Sequence, residues 1–462
     1  MEQAEQNAVG SETPVSVVDT EVSSSIGNDG KDADTAVQEA AEGINQVELD
    51  ELHNAASAVE ATAGAATPSS GVSGGAAGNE AVAATATADA QLETKPAGND
   101  AAGAEASTEE GVDSDRAVLE TLYETCGGAF WRMKIAWGTA APIMAWFGIG
   151  TSSSPPSEGR ISKLALPWNK LAGTIPAAIG TLSTLEDLVL HDNMLTGSIP
   201  SEISKLSFLR ILLLYNNKFS GGIPSDIGVL FTLRVVRLNH NQLTAGPIPE
   251  SISELSCLEE LQLHNNKLSG VIPAAMGKLC SLRVLSLSNN QLTGNVPPEM
   301  GNLSSLVALA LDGNMLTGPL PAEIGQLSSL QDLRMHSNQF GGKIPSAVIG
   351  LGAVKVMMLG DNKLTGSIPA EVGTASSLEI LDIQRNKLTG GIPAEIGNLT
   401  SLRVLSLSDN EISGEIPVEM SQMSALQMLR LTNNKLTGKL PTAVAELAAL
   451  KVKLLDGNQL ED

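Results

Sequence analysis

The chain has 462 residues, a formal net charge of −24 and only 3% aromatic residues. It is longer than one ordinary globular domain, and the scarcity of aromatic side chains excludes a core built mainly on them. The charge is concentrated at one end, because 22 of the 52 acidic residues but only two of the 28 basic ones fall in residues 1–113. This acidity argues against binding of nucleic acid or an anionic membrane by that segment.

Residues 1–113 are rich in Ala, Glu, Asp, Ser, Thr and Gly and contain no Phe, Tyr or Trp. Such a segment cannot bury enough apolar surface to offset the entropy of ordering it. We therefore predict a disordered acidic tail, with transient helix over residues 36–47. The tail acts as a spacer or, alternatively, as an interaction or phosphorylation segment.

The N-terminus shows no basic region followed by an apolar one, and no apolar run is long enough to span a membrane. The sequence thus predicts an intracellular, cytoplasmic protein without membrane insertion. An extracellular or cell-surface location is the alternative if the natural chain starts elsewhere.

Residues 114–159 are predicted to form an N-terminal cap. Ser114 or Asp115 can begin a helix with apolar residues at helical spacing, and Gly127 and Gly128 end it. The apolar positions are Leu119, Leu122, Tyr123 and Cys126, and the tryptophans that follow are Trp131, Trp137 and Trp146. Because the first unit of a repeat array needs a cover, we favour a cap over a tryptophan ligand platform.

Residues 160–462 repeat one 24-residue unit about 13 times, and residues 279–302 are a clean copy, LCSLRVLSLSNNQLTGNVPPEMGN. One unit carries an additional residue, assigned to Ala245. A fixed period of this length indicates a solenoid. Each L-x-L segment predicts a short strand with its Leu side chains inward. The I-P-x-x-I-G segment predicts a 3₁₀ or irregular outer turn, because Pro fixes φ and lacks a donor. The expected fold is an α/β solenoid, a right-handed curved stack with a parallel concave sheet.

One Asn recurs in every unit. Its amide has donors and an acceptor, so it can satisfy backbone groups that a turning, partly buried chain would leave unpaired. We predict a structural ladder of Asn169, Asn193, Asn217, Asn241, Asn266, Asn290, Asn314, Asn338, Asn362, Asn386, Asn410, Asn434 and Asn458.

The pattern L-x-x-L-x-L-x-x-N-x-L-[TS]-G-x-[IVL]-P-x-x-[IVM]-G-x-L resembles the plant-specific class of leucine-rich repeats, over about residues 160–460. It is similar to the ectodomains of plant receptor-like kinases and receptor-like proteins. The cap resembles that of kinase-less leucine-rich-repeat proteins from algae and other protists. The matching cap residues are Asp115, Arg116, Leu119, Leu122, Tyr123, Gly127, Gly128, Trp131, Trp137, Trp146, Gly148, Ile149, Gly159, Arg160 and Ile161.

The resemblance implies a non-enzymatic recognition scaffold, in signalling or defence, with a protein or peptide ligand. The alternative is a receptor-type or secreted ligand-binding ectodomain whose ends are misassigned. Plant ectodomains carry paired cysteines around the element at Trp146, and their absence here favours a reducing compartment. The N-glycosylation sequons at Asn302 and Asn398 match the N-L-[ST] segment of the repeat consensus, so the repeat itself accounts for their presence. In the last unit Lys453 replaces a strand Leu, which fits either a charged end or a truncated array.

The sequence shows no catalytic constellation, so we expect no enzyme, cofactor or metal. His191 and Asp192 lack a positioned nucleophile, and His240 and His264 lack a third ligand at a suitable spacing. The cysteines at 126, 257 and 280 are expected to be free thiols. No nucleic-acid partner is expected, and the oligomeric state stays open.

The residues one, two and four positions before each ladder Asn should line the concave face, with the residue six positions before it as a flank, and most of these residues are small. Aromatic residues and Arg are favoured interface anchors. The predicted partner-binding residues are Trp168, His191, Asp192, Tyr215, Arg237, His240, Glu260, Gln262, His264, Asp332, Arg334 and His336. Asp382, Gln384, Arg385 and Arg430 follow more sparsely. An ordinary solvated polar face is the alternative interpretation.

Overall fold

The computed structural model describes residues 101–153, 157–244 and 246–461. They form two compact units, which divide in the sequence between Lys267 and Leu268. The predicted tail lies outside the described residues except for its last part, 101–113.

The cap helix of the first unit spans Ala101–Thr125. The predicted start at Ser114 or Asp115 is wrong, because the preceding Ala-rich turns have high helix propensity and continue the helix backwards. Asp115 is a fully buried residue within the helix. Its carboxylate accepts two hydrogen bonds from the Arg160 guanidinium, at 2.8 and 2.9 Å, and one from the Ile161 amide at 3.0 Å. This buried ion pair ties the helix to the strand Ile161–Ala165.

The three cap tryptophans form one buried cluster beneath the helix. Trp131 and Trp137 are each 4% exposed and Trp146 is 1% exposed. The ring centroids of Trp137 lie 4.9 Å from those of both Trp131 and Trp146. Each indole N–H donates to a backbone carbonyl, which a buried Trp requires. The cluster is therefore packed core, as expected of a cap, and offers no exposed ring platform.

The first unit contains six main strands within its described residues. The first pairs antiparallel with the second, and the others pair in parallel. The register aligns equivalent residues, so that Leu164, Leu188 and Leu212 are neighbours and are fully buried. The strands are Ile149–Thr151, Ile161–Ala165, Asp187–Val189, Ile211–Leu213, Val235–Arg237 and Glu260–Gln262.

The second unit continues the pattern with eight parallel main strands among its described residues. Their central residues form a buried row from Leu285 to Leu429, and Lys453 occupies that register position in the last strand. The strands are Val284–Ser286, Ala308–Ala310, Asp332–Arg334, Val356–Met358, Ile380–Asp382, Val404–Ser406, Met428–Arg430 and Val452–Leu454.

Short helical turns follow the Pro of each repeat, as the fixed φ of Pro favours. Two of these turns are single turns of α-helix, Ser346–Ile349 and Thr442–Ala445. The 3₁₀ turns of the first unit are Gly128–Phe130 and Ile143–Ala145 in the cap, then Ala177–Thr181, Ser201–Lys205, Ser225–Val229 and Glu250–Glu254. Those of the second are Ala274–Lys278, Pro298–Asn302, Ala322–Gln326, Ala370–Thr374, Ala394–Asn398 and Val418–Gln422. The predicted α/β solenoid of parallel strands and short outer turns is confirmed.

A second row of short parallel strands, which the sequence did not predict, covers the L-T-G segments. The pairing forms where successive segments lie side by side. The first unit has Ala172–Gly173 and Met194–Leu195. The second has Ser269–Gly270, Gln291–Asn295, Met315–Thr317, Gly341–Lys343, Lys363–Gly366, Lys387–Leu388, Ser413–Gly414, Lys435–Gly438 and Gln459–Leu460.

The recurring Asn bonds its own rung to the rung before it. The Oδ1 of Asn314 accepts the Leu292 amide at 3.0 Å, and its Nδ2 donates to the carbonyls of Leu287 and Leu311, each at 3.0 Å. Asn217 repeats this pattern in the first unit with Leu195, Leu190 and Leu214. These amides thereby satisfy buried backbone groups of two rungs, whereas the first, Asn169, bonds to the Met133 backbone of the cap.

Candidate ligand-binding face of the strands

Alternate side chains of the main strands point away from the Leu core. We call the surface formed by the residues six, four, two and one positions before each ladder Asn the strand face. All twelve predicted partner-binding residues lie in main strands or just after them. Nine belong to the first unit, and Asp332, Arg334 and His336 belong to the second.

His191 and Tyr215 stack in the first unit. Their ring centroids are 4.3 Å apart and the planes differ by 7°. The His191 Nδ1 lies 2.7 Å from a carboxylate oxygen of Asp192, whose other oxygen accepts a hydrogen bond from Asn216 at 2.8 Å. The ring pair is thus held in one orientation before any ligand arrives.

Arg237 and Glu260 form a two-bond ion pair on the adjacent rungs. The guanidinium donates to both carboxylate oxygens, at 2.7 and 3.0 Å. Gln262 donates to the same carboxylate at 2.5 Å. Arg237 is 7% exposed, so this geometry fixes a largely buried charge pair within the face.

His240 and His264 meet edge to face, with ring centroids 5.2 Å apart. Burial, followed by electrostatic interaction with His240 and Arg237, lowers the pKa of His264 to about 4. His264 is therefore neutral near pH 7. The part of the chain that the structure describes holds no group of three or more His, Cys, Asp or Glu side chains placed to hold a metal ion.

Asn239 is a face residue that the sequence analysis missed. It is 7% exposed, and its Oδ1 has no hydrogen-bond partner among the described residues. It occupies the same register position as Tyr215 and His264 on the neighbouring rungs. A buried acceptor of this kind can receive an N–H group from a bound molecule. The sequence did contain a signal for Asn239, which is an Asn two residues before a ladder Asn. It was overlooked because Asn is common throughout the repeats.

Trp168 lies apart from these groups, at the edge beside the cap. It is 62% exposed and its φ is +55°. Its neighbour Asn169 exchanges hydrogen bonds with the Met133 backbone, at 2.5 Å and 2.8 Å. Trp168 thus borders the cap loop.

In the second unit, Arg334 and His336 each lie beside a carboxylate. The Arg334 Nε donates to both oxygens of Asp332 at 3.1 Å. The His336 Nε2 lies 3.8 Å from an Asp312 oxygen that the sequence analysis did not select. Burial lowers the pKa of His336, whereas the Asp312 carboxylate opposes that shift.

An apolar stripe on the strand face of the second unit was also missed. It lies mainly six positions before the ladder Asn, which the sequence analysis treated as a flank. Its members are Val356, Met358, Ile380, Val404 and Met428, with Val452 packed against them. Asp382 and Gln384 lie beside it, joined by hydrogen bonds of 3.1 and 3.4 Å.

The position just before each ladder Asn has a left-handed backbone. Its φ is +56° at Asp192, +52° at His240 and +50° at Arg385. Gly, Asn, Asp and His adopt this conformation more often than other residues. The backbone therefore gives both Asp192 and His240 a local reason to be present.

Family models of leucine-rich repeats match most of the array. The model described as leucine-rich repeat region matches residues 164–296 and 280–408. The model described as Leucine Rich Repeat matches residues 401–423 and 425–447. The chain therefore belongs to the leucine-rich repeat family. No curated protein matches the chain.

Solved structures of plant receptor ectodomains are similar to the chain. One is the ectodomain of the Arabidopsis thaliana membrane receptor kinase GASSHO1/SCHENGEN3 with CASPARIAN STRIP INTEGRITY FACTOR 2, at 35% identity over 65% of this chain and 38% of that one, TM-score 0.57. PEPR1–AtPEP1 is 30% identical over 75% and 56%, TM-score 0.61. The Arabidopsis receptor kinase HAESA with the peptide hormone IDA and the co-receptor SERK1 is 32% identical over 63% and 56%, TM-score 0.54.

The predicted resemblance to plant-type receptor ectodomains is confirmed by these comparisons. The chain spans only 38% to 56% of the length of the three structures. Within the described residues, no helix is both long and apolar enough to cross a bilayer.

Proposed function

We propose that the chain is a non-enzymatic recognition scaffold that binds a protein or peptide on the strand face of its first unit. The observation that carries this proposal is the clustering of Tyr215, Arg237, Asn239 and His264 on three successive steps of the sheet. Ring stacking and ion-pair bonds already hold their neighbourhood in place. A face ordered in advance loses less entropy when a ligand binds.

The receptor ectodomains supply independent support, because the structure of HAESA contains a peptide hormone and a co-receptor. Extended peptides suit a parallel ladder of rungs, since each rung presents side chains at one fixed spacing. Buried Arg and Tyr side chains are also the residue types that contribute most at protein interfaces.

The test uses the full-length chain and a displayed random-peptide library. Peptides selected on the wild type are measured against the combined variant Tyr215→Ala, Arg237→Ala and His264→Ala. Because each change removes an anchor, we expect affinity to fall by a factor of at least about 100. The melting temperature of each variant is measured in parallel.

A combined variant of outer-turn residues, Glu202→Ala, Asp226→Ala and Glu250→Ala, is the matched control. These side chains lie in the 3₁₀ turns of the same repeats. The control should keep the affinity of the wild type. Equal affinity of the anchor variant, with its fold intact, would contradict the proposal.

A second candidate is a receptor-type or secreted ectodomain, and the comparisons favour it over the cytoplasmic location expected from the sequence. The specific observation is that Asn302 and Asn398 end equivalent 3₁₀ turns and are exposed, so both sequons are accessible. Glycosidase treatment of the native protein should lower its mass, and Asn302→Gln with Asn398→Gln should remove that shift. An unglycosylated native protein located in the cytosol would exclude this candidate.

A further inference from the structure

The cap exposes an unusual group of apolar side chains. Phe130 is 82% exposed, Met144 65%, Ile135 63% and Met133 40%. Soluble proteins bury most such residues, and a group of exposed ones marks a contact surface. We call Phe130, Met133, Ile135 and Met144 the cap patch.

Hydrogen bonds hold the cap patch together in one loop region. The Lys134 ammonium binds the Ala129 carbonyl at 2.6 Å, beside Phe130. The Ile135 carbonyl accepts the Phe147 amide at 3.0 Å, which brings Ile135 near the turn that carries Met144. The Phe147 carbonyl in turn accepts the Trp137 indole N–H at 2.8 Å, which links this loop region to the buried tryptophan cluster.

Part of the backbone of this loop is already hydrogen-bonded. The amides of Phe130, Arg132 and Trp137 donate to the carbonyls of Gly127, Asn169 and Lys134. The Met133 amide and carbonyl both bond to the Asn169 side chain. These bonds hold the loop in a defined conformation.

The charges of the cap patch are positive. Arg132 and Lys134 alternate with its apolar residues and are exposed. No Asp or Glu occurs between Glu124 and Glu158. Apolar and aromatic side chains interleaved with cations are the composition of segments that lie in the headgroup region of anionic membranes.

We propose that the cap patch docks onto an anionic lipid surface, with its apolar tips entering the headgroup boundary and Arg132 and Lys134 contacting lipid phosphates. This contact is peripheral and requires no membrane-spanning segment. It is independent of ligand binding on the strand face. A second copy of the chain is a poorer occupant, since two patches face to face would oppose like charges.

Vesicle co-sedimentation of the full-length chain tests the proposal. We compare phosphatidylcholine vesicles with vesicles that contain about 30% phosphatidylserine, whose surface potential attracts cations. The wild type should bind the anionic vesicles at least roughly tenfold more tightly. All variants are compared in the full-length chain, in which the repulsion by the acidic residues 1–113 is constant.

The apolar variant is Phe130→Ser, Ile135→Ser and Met144→Ser, and it should lose vesicle binding. The charge variant Arg132→Gln with Lys134→Gln should weaken it roughly fivefold per cation removed. Its residual binding should also become less sensitive to salt.

Phe208→Ser with Phe231→Ser is the matched control, because these rings are 58% and 60% exposed elsewhere in the first unit. The control should bind like the wild type. Absence of wild-type binding to anionic vesicles would overturn the proposal, and so would equal loss of binding in the control. Sedimentation velocity without lipid tests the second copy, and a dimer abolished by the apolar variant, without vesicle binding, would also overturn it.

Discussion

At the scale of single residues, the ladder asparagines affect more than their own rung. The amide of Asn314 serves the backbone at Leu287, Leu292 and Leu311, so one side chain completes the hydrogen bonding of two repeats. The sequence predicted this role from amide chemistry alone. It did not predict that the acceptor oxygen of each Asn serves the preceding rung.

Asn314→Ala should lower the free energy of unfolding by roughly 1–3 kcal/mol, because it leaves buried backbone groups without partners. Urea unfolding followed by far-UV circular dichroism measures the change. Asn302→Ala, in an exposed position at the end of an outer turn, should change stability much less. Equal effects of both substitutions would disprove our account of the ladder.

His264 should make folding sensitive to mild acid. Its pKa is about 4 when folded and 6.5 as the ordinary value. Between these pH values the unfolded chain binds the proton first, so stability is full above about pH 6.5 and falls as the pH drops toward 4. The free energy of unfolding of the wild type and of His264→Gln should be compared from pH 7 to 4.5. The stability of the wild type relative to the variant should decrease across this range, and a constant difference would contradict the assignment.

At the scale of elements, the consensus sequence of the repeat predicted the main strands, the outer turns and their alternation. The row of strands over the L-T-G segments was missed, because two to five residues containing Gly give no clear period-2 pattern. The cap helix was started too late for a similar reason. Low hydrophobicity suggested disorder across the Ala-rich residues 101–113, although Ala favours a helix.

One glycine fixes how closely the cap helix approaches the first repeat. Gly173 has φ +112°, and a Cβ placed there would lie 2.1 Å from the Thr125 carbonyl oxygen. Gly414 also has positive φ, +81°, but a Cβ there would meet nothing within 4 Å. The two positions therefore share a demanding backbone and differ in available space.

Gly414→Ala should cost about 1–2 kcal/mol through its backbone conformation alone. Gly173→Ala should cost about 1–3 kcal/mol more, because the cap must also move away from the rung. Chemical denaturation of both variants measures the difference. Equal losses of unfolding free energy in the two variants would show that the end of the cap helix moves aside without a measurable energetic cost.

The candidate site was less predictable than the fold. Tyr215, Arg237 and His264 stand out from the repeat by residue type alone, and the structure does bring them onto adjacent rungs. Asn239 and the apolar stripe escaped notice because Asn, Val, Ile and Met also occur as ordinary repeat residues. Whether such a residue contributes to a site depends on the residues beside it on neighbouring rungs. The sequence of a single repeat does not contain that information.

At the scale of the whole molecule, stability should be transmitted from rung to rung, since repeats contact mainly their neighbours. The cap then protects the first rungs more than distant ones. Trp146 is central to it, packed on Trp137 and covered by the Arg116 guanidinium at 5.2 Å.

Trp146→Ala should cost about 3–5 kcal/mol locally, as a large truncation in a packed core. Hydrogen exchange followed by mass spectrometry should show faster exchange at Ile161–Ala165 and Asp187–Val189, with little change at Met428–Arg430. Uniform acceleration across all these strands would instead indicate one cooperative unit.

The direction of the asparagine bonds also has a consequence for biosynthesis. The turn of each repeat is completed by the Asn Oδ1 of the next repeat, 22 residues further along. A newly made repeat therefore leaves the ribosome with open backbone groups until its successor follows. At roughly 5–20 residues per second, that interval is about 1–5 s for one repeat. Slow codons placed after an incomplete repeat should prolong the exposure of its unpaired strand edge. Translation speed should therefore influence how often such an edge pairs with a wrong strand.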